Sequence, residues 1–364
     1  MTRSTRPRRI RALVLAAGLS TRLRPLTAAV PKPLLPVAGL PVLAHTLRSL
    51  AAVGCEAAAI NLHHHGGQIR GHFGPSYAGL PLTYSEEPRL LGTLGALGPL
   101  RDFLAGADLI ILVNGDSLCR WPLAELVRRH EARGAEATLL LTSRADPAEF
   151  GGGLGIDRRG RIVSLRSGEE AGAGGSGGGA DPAGRSAPPI APVARRLVFA
   201  GAHVLSPALL AMVDSTPSDI IGELYAPLLR RARRGEVIVG SLITRRRWHD
   251  LGTPSRYLAG VLDWVRSSRP SRRDGWIAPE AAIAATAVVR GASIEAGAVL
   301  DEGAVVERSV LLPGARAGAG SQVRNSILGF DVVLPAGSRA EGQMVTASPG
   351  GGAPLVTPLG GRWS

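Results

Sequence analysis

Arg11-Ala-Leu-Val-Leu-Ala-Ala-Gly18 runs directly into Leu19-Ser-Thr-Arg-Leu-Arg-Pro-Leu-Thr27, and shortly afterwards comes Pro31-Lys-Pro-Leu-Leu-Pro-Val-Ala-Gly-Leu-Pro41. The first run reads as a buried strand that ends at a glycine, the opening of an α/β fold. A strand ending in Gly18 and Ser20-Thr21 presents successive backbone N–H groups in a concave turn, a shape suited to phosphate oxygens. Arg22 and Lys32 bring positive charge to the same mouth. Lys32 is the only lysine in the chain, which otherwise uses arginine as its strong base. A position that departs from that default calls for a compact ammonium in place of a planar fork.

Working outward, Pro41–Val53 has helical spacing, and strand-like runs follow at Ala57–Asn61, Leu82–Ser85, Leu109–Asn114 and Ala137–Thr142. Helical patterns fall between them at Leu94–Leu104 and Leu123–Arg133. Strand character resumes at Leu197–Leu205, and Pro207–Arg233 carries helical segments. Strands alternating with helices predict a Rossmann-like, mostly parallel sheet covered on both faces, with ligands beyond the carboxyl ends of its strands. From Gly168 to Pro192 the chain turns to Gly, Ala, Ser and Pro, which reads as a flexible insertion. Beyond a linker near Ser267–Asp274, apolar residues recur at Ile277, Ile283, Val289, Ile294, Leu300, Val306, Leu312, Ala317, Val323, Leu328 and Leu334, at steps of six with an occasional five. That spacing is the hexapeptide repeat of a parallel β-helix of about three coils. The expected organisation is a basic disordered tail at 1–9, a large domain at 10–266, the β-helix at 275–345 and a tail at 346–364.

With 364 residues and 45% hydrophobic content, the chain can bury a large core and a smaller second one. The net charge of +13 is spread along it and aromatic residues make up 4%, so no stacking platform for nucleic acid is expected. No apolar run has the length of a membrane span. The arginine-rich start ahead of Ala12–Ala17 looks superficially like a twin-arginine export signal, but that apolar run leads into the phosphate turn, and a basic tail is the better reading. Two cysteines, Cys55 and Cys119, lack metal-site spacing and fit a reducing cytoplasm. Neighbouring side chains in His63-His64-His65 diverge and cannot all reach one ion.

The opening segments resemble the signature of the sugar-1-phosphate nucleotidyltransferases, roughly L-A-A-G-x-G-T-R-L-x-P-L-T and then P-K-P, with Ser20 at a usual glycine. Three further segments are similar to family elements: Leu112-Val-Asn-Gly-Asp116, Glu86-Glu-Pro-Arg-Leu-Leu-Gly-Thr-Leu-Gly95 and Trp248-His-Asp-Leu-Gly-Thr-Pro-Ser-Arg-Tyr257. The resemblance covers about Ile10 to Trp264 and implies a nucleotidyltransferase domain followed by a small left-handed β-helix. The implied reaction joins a nucleoside monophosphate from an NTP to a sugar 1-phosphate and releases pyrophosphate. Arg22 and Lys32 would be catalytic, and Asp116 and Asp250 would hold Mg²⁺. Leu15, Ala16, Ala17, Gly18, Ser20, Thr21, Glu87, Gly92 and Thr93 would line the nucleotide, while Asn114, Gly152 and Gly201 would line the sugar. The partners are then NTP and sugar 1-phosphate, with no membrane and no specific nucleic acid, and the β-helix offers a surface for self-association.

The chemistry suits these groups. Mg²⁺ takes one or two carboxylates and fills its other positions with water and phosphate oxygens. The nucleophile is a phosphate oxygen already ionised at neutral pH, so positioning and electrostatics carry the reaction and no general base is needed. Where many relatives have a Glu-Lys pair after a segment like Arg161–Leu165, this chain has Arg166-Ser-Gly-Glu-Glu, which leaves the sugar open; guanylyl or uridylyl transfer to mannose- or muramate-type sugars is nearest. Three other readings compete: an acyltransferase β-helix, disfavoured because no histidine follows His249; a nucleotide-binding protein without turnover; and transfer to a non-sugar phosphate.

Overall fold

The computed structural model describes residues 8–165, 188–268, 275–348 and 352–360. The tail, insertion, linker and terminal segments named above lie outside these residues at 1–7, 168–187, 269–274, 349–351 and 361–364. The chain divides into two compact units. One gathers Met1–Gly18, Thr46–Gly115 and Cys119–Trp248; the other gathers Leu19–His45, Asp116–Leu118 and His249–Ser364.

The first unit is built on a sheet whose strands are β1 Ile10–Leu15, β2 Ala57–Leu62, β3 Leu80–Glu86, β4 Leu109–Asn114, β5 Ala137–Thr142, β6 Arg195–Leu205 and β7 Val239–Thr244. They lie in the order β3-β2-β1-β4-β6-β5-β7. All run the same way except β6, which is antiparallel to β4 and β5. Apolar runs make these central strands: Ala12, Leu13 and Val14 are fully buried, as are Ile111, Leu112 and Val113. The helix expected at Leu94–Leu104 is broken into Gly92–Gly95, Gly98–Leu100 and Arg101–Ala105. Pro99, in the first turn of Gly98–Leu100, has no N–H to continue a helical ladder. A Cβ on Gly92 or Gly95 would stand 2.5 Å from Ser218 O or 2.2 Å from Thr216 O, so only glycine lets this segment lie against the Thr216–Ser218 backbone.

The second unit contains a short hairpin, Pro36–Val37 with Leu40–Pro41, the helix Pro254–Ser268 and a parallel β-helix. In the β-helix each strand pairs with the one 17 residues on: Ile277 with Ile294, Ile294 with Leu311, Leu311 with Leu328, and Leu328 with Val345. Two corrections to the sequence reading follow. The coils number four, since Ala340 and Val345 are buried and continue the repeat where polar Arg339, Glu341 and Gln343 mask it. The inward residue of the third coil is Leu311; Leu312 belongs to a separate cluster with Val310, Ile327 and Met344, which packs Leu258 and Val261 of the helix Pro254–Ser268. The five-residue step occurs at one fixed corner, after Val306 and again after Val323, where Arg308 and Asn325 adopt φ +46° and +47°. Leu355–Pro358, inside the expected tail, adds an antiparallel strand to Gln343–Thr346.

Candidate active site

The second unit concentrates charge around one ammonium. Lys32 opens the turn Lys32–Leu34, which Pro31 and Pro33 flank and pre-shape, and its side chain is 3% exposed. Its Nζ lies 2.9 Å from Asp116 Oδ2 and 3.7 Å from Asp250 Oδ1. A buried ammonium survives only with charged partners, and these two carboxylates supply them.

Asp250 ends the strand Trp248–Asp250, and the Gly-Thr-Pro that follows turns the chain into a helix. Thr253 caps it: Thr253 O accepts Tyr257 N–H at 2.8 Å, and Thr253 Oγ1 accepts Arg256 N–H at 3.3 Å. Pro254 takes the first helical position, where no N–H is needed. Arg256, in the first turn, reaches back and donates to Asp250 Oδ2 at 2.8 Å. A Cβ on Gly252 would stand 3.0 Å from both Asp250 oxygens and 3.1 Å from an Arg22 guanidinium nitrogen, so a larger residue would crowd both side chains. Lys32, Asp116, Asp250 and Arg22 are thus brought together, with Arg256 as a fifth member that the sequence reading passed over. Its signal was present inside the quoted Trp248–Tyr257 motif, as a cation six residues beyond a carboxylate.

His249 lies behind Asp250. Its Nε2 is 2.9 Å from Asp263 Oδ2, and Asp263 Oδ1 accepts from Arg266 at 2.9 Å, which ties the strand to the helix. Ser20 sits at φ +50°, the left-handed conformation that a glycine adopts freely. Ser20 O accepts from Leu23 N–H and from Thr27 Oγ1 at 2.9 Å, and Thr21 and Arg22 follow in a single tight turn.

In the first unit, Leu15 O accepts Gly115 N–H at 2.9 Å, and Ala16 N–H donates to Asn61 Oδ1 at 2.7 Å. Asn61 Nδ2 donates to Glu87 Oε1 at 2.8 Å, and Leu91 N–H donates to Glu87 Oε2 at 2.9 Å. Asn61 and Glu87 are each 3% exposed. The carboxylate of Glu87 is therefore turned into the protein, where it shapes the loop. Asn61 was missed by the sequence reading, although a lone amide at the end of Ala57-Ala-Ala-Ile-Asn61 is a visible departure from an apolar strand. Gly92 takes φ +74°, and Thr93 Oγ1 accepts Ile220 N–H at 3.0 Å. Of the sugar candidates, Asn114 and Gly201 are neighbours: a Cβ on Gly201 would lie 3.2 Å from Asn114 Nδ2, at a bulge in β6. Gly152 turns at φ +81° with its N–H on Pro147 O. Ala17 is buried and Gly18 exposed.

The Nucleotidyl transferase family profile matches residues 11–169. The chain is similar to the mannose-1-phosphate guanylyltransferase of Mycobacterium tuberculosis, 31% identical over 265 residues that cover 71% of this chain and 66% of that protein. It is also similar to the mannose-1-phosphate guanylyltransferase catalytic subunit beta of Dictyostelium discoideum, 24% identical over 266 residues, 72% of this chain and 67% of that protein. The matched region thus spans about two thirds of these relatives. Among solved structures, HddC from Yersinia pseudotuberculosis superposes with a TM-score of 0.52 at 18% identity, covering 70% of this chain and 99% of that one, which establishes a shared fold. On these grounds the chain belongs to the sugar-1-phosphate nucleotidyltransferases, a family of enzymes.

Proposed function

We propose that this enzyme transfers a guanylyl group from GTP to mannose 1-phosphate, releasing pyrophosphate. The observation that carries the reading is the convergence of Lys32 on Asp116 and Asp250, with Arg256 on the second oxygen of Asp250 and an Arg22 nitrogen close by at Gly252. The named relatives support the choice of base and sugar.

The two carboxylates are hard oxygen donors with no histidine or cysteine beside them, a set that fits Mg²⁺. Among the described residues no group of three or more His, Cys, Asp or Glu could hold a metal, so the ion would take its remaining ligands from phosphates and water. Asp116 and Asp250 would hold it; when bound, it neutralises phosphate charge and orients the α-phosphoryl group. Lys32 supplies a fixed point charge for the phosphoryl oxygens as charge builds up on them, in a place shielded from water. Arg22, whose guanidinium is exposed, is free to clasp the triphosphate through two parallel hydrogen bonds. The sugar phosphate arrives as an anion, so no residue has to take a proton from it. Arg256 keeps one oxygen of Asp250 occupied and leaves the other facing Lys32.

Both cysteines are buried free thiols pushed up to about 12 by desolvation, unreactive groups that suit a reducing cytoplasm. No helix among the described residues is long and apolar enough to cross a membrane. A pyrophosphate-release assay with Mg²⁺, each common NTP and a panel of sugar 1-phosphates tests the reading. GTP with mannose 1-phosphate should give the highest kcat/KM. Turnover with another pair corrects the substrate, and no turnover with any pair removes the catalytic reading in favour of a binding protein.

A further inference from the structure

Directly after the Lys32 turn the chain forms the hairpin in which Pro36 faces Pro41 and Val37 faces Leu40. Ala38 and Gly39 close it at φ +52° and +80°, which presents successive N–H groups as an anion-binding concavity. The occupant is a side chain of the β-helix. Glu295 Oε1 accepts Ala38 N–H at 3.1 Å, Glu295 Oε2 accepts Gly39 N–H at 2.8 Å, and Ser293 Oγ donates to Oε1 at 2.8 Å. Two more contacts hold the hairpin. Tyr257 Oη donates to Pro36 O at 2.5 Å, and the Trp276 ring lies 2.8 Å from where a Gly39 Cβ would be. Leu35 N–H bonds Lys32 O, Val42 N–H bonds Leu35 O, and Leu35 and Val37 are fully buried, so turn and hairpin form one packed piece.

The coil itself has no use for this carboxylate. At the 17-residue repeat, the equivalents of Glu295 are Ala278, Leu312 and Gly329. Glu295 is 1% exposed, and burial pushes its carboxyl above the ordinary range against the pull of Ser293, Gly39 and Ala38. A carboxylate taken out of water is retained only where donors offset its desolvation, and two of its three donors belong to the hairpin that directly follows the Lys32 turn.

We propose that Glu295 is a positioning residue for Lys32, which fixes the hairpin so that the ammonium is held against Asp116 and Asp250, and that the β-helix thereby takes part in nucleotidyl transfer. The inference rests on Lys32 acting at the reacting phosphoryl.

The test uses the full chain with Mg²⁺ and the NTP and sugar 1-phosphate that give turnover. Lys32→Ala comes first: if it keeps most of the activity, the role given to Lys32 is wrong whatever Glu295 does. With that role established, Glu295→Gln should lower kcat on the order of 10-fold, because small misplacements of a catalytic group cost 10- to 100-fold, while both KM values stay within about 2-fold. Glu295→Asp should fall between the two. In a Lys32→Ala background, Glu295→Gln should subtract nothing further, since residues that act as a unit are not additive. Val323→Ala, which empties part of the β-helix interior, controls for loss of coil stability: it should lower Tm and leave kcat unchanged. A Glu295→Gln enzyme with unaltered kcat, or a loss that adds in full to that of Lys32→Ala, overturns the proposal. Should Glu295→Gln fail to fold, Gly39→Ala, which displaces the hairpin from Trp276, must show the same loss confined to kcat or the proposal falls.

Discussion

Two buried polar networks, one in each unit, use similar residues to opposite ends. In the first unit, Asn61 joins Ala16 N–H to Glu87, and Glu87 spends its second oxygen on Leu91 N–H; both side chains are 3% exposed and the network is closed. In the second unit, Lys32 is equally buried, but its partners Asp116 and Asp250 keep 40% and 22% of their side chains exposed. A closed network can only hold the backbone in place. An open one keeps lone pairs and donors for something that arrives, which is what a reaction between polyanions needs. The contrast predicts that changes in the open network will appear in rate and metal dependence, and changes in the closed network in stability.

The largest effect should come from Lys32. Lys32→Ala is expected to lower kcat on the order of 10²-fold or more, the scale of removing one preorganised donor, while Tm falls little because its two carboxylate partners can be hydrated. Lys32→Arg should not restore the rate, because a planar fork does not fit where a point charge stands between two carboxylates. Single-turnover measurements would decide; a Lys32→Ala enzyme within about 3-fold of the parent kcat would make the open network merely structural.

Next comes Arg256. Removing a group that orients a metal-binding carboxylate typically costs 10- to 100-fold in metal affinity, so Arg256→Ala should raise the Mg²⁺ concentration for half-maximal rate about 10-fold. Mn²⁺ titration of the protein without substrate should show the same weakening. If metal binding is unchanged, the Arg256–Asp250 pair serves only the fold.

These two residues also mark how far the sequence could be read. Lys32 stood out chemically as the one lysine, Asp116 followed the readable strand Leu109–Asn114, and Asp250 lay in the Trp248–Tyr257 motif, because local patterning records local structure. Most of the sheet was legible for the same reason, since its strands are apolar runs whose ends can be seen, but Val239–Thr244, paired with Ala137–Thr142, went unread. Arg256 was visible but unassigned, since a sequence does not show that the helix Pro254–Ser268 turns its first arginine back onto Asp250. Glu295 lay beyond reach. It bonds Gly39 across 256 residues, and at its own position it looks like one more polar residue between hexapeptide anchors. Leu312 shows the limit of periodicity, because two adjacent leucines satisfy the spacing equally and only the strand register separates them.

In the closed network, Glu87→Gln keeps the shape but replaces one acceptor oxygen with an amine that faces the Asn61 amine or the Leu91 N–H. One buried donor is left unmatched, which costs about 1–3 kcal/mol. Urea unfolding should show that loss as a lower midpoint with unchanged slope. The KM for NTP should rise with it, because the loop read as lining the base loses its anchor. A variant of full stability but lowered kcat would reverse the roles given to the two networks.

The smallest effect separates the units by pH. His203 and His130 are buried in the first unit, and desolvation lowers them to about 3 and about 4, so both are neutral in the folded protein. Unfolding returns each to an ordinary value near 6.5. Between that value and the folded ones the unfolded chain binds protons that the native state refuses, so stability falls as pH drops. The contribution is full above about pH 6.5 and fades toward pH 4, with a slope of about 1.4 kcal/mol per pH unit for each histidine once well below 6.5. His203 has Tyr225 Oη as its hydrogen-bond partner and a ring stacked on the same residue. His203→Gln keeps a polar partner for Tyr225 but cannot titrate, so it should flatten the acid limb of a Tm-against-pH curve by one histidine's share while lowering the plateau at pH 7. An acid limb with the parent slope in this variant would assign the pH sensitivity to carboxylates, the open network's among them, and so invert the comparison.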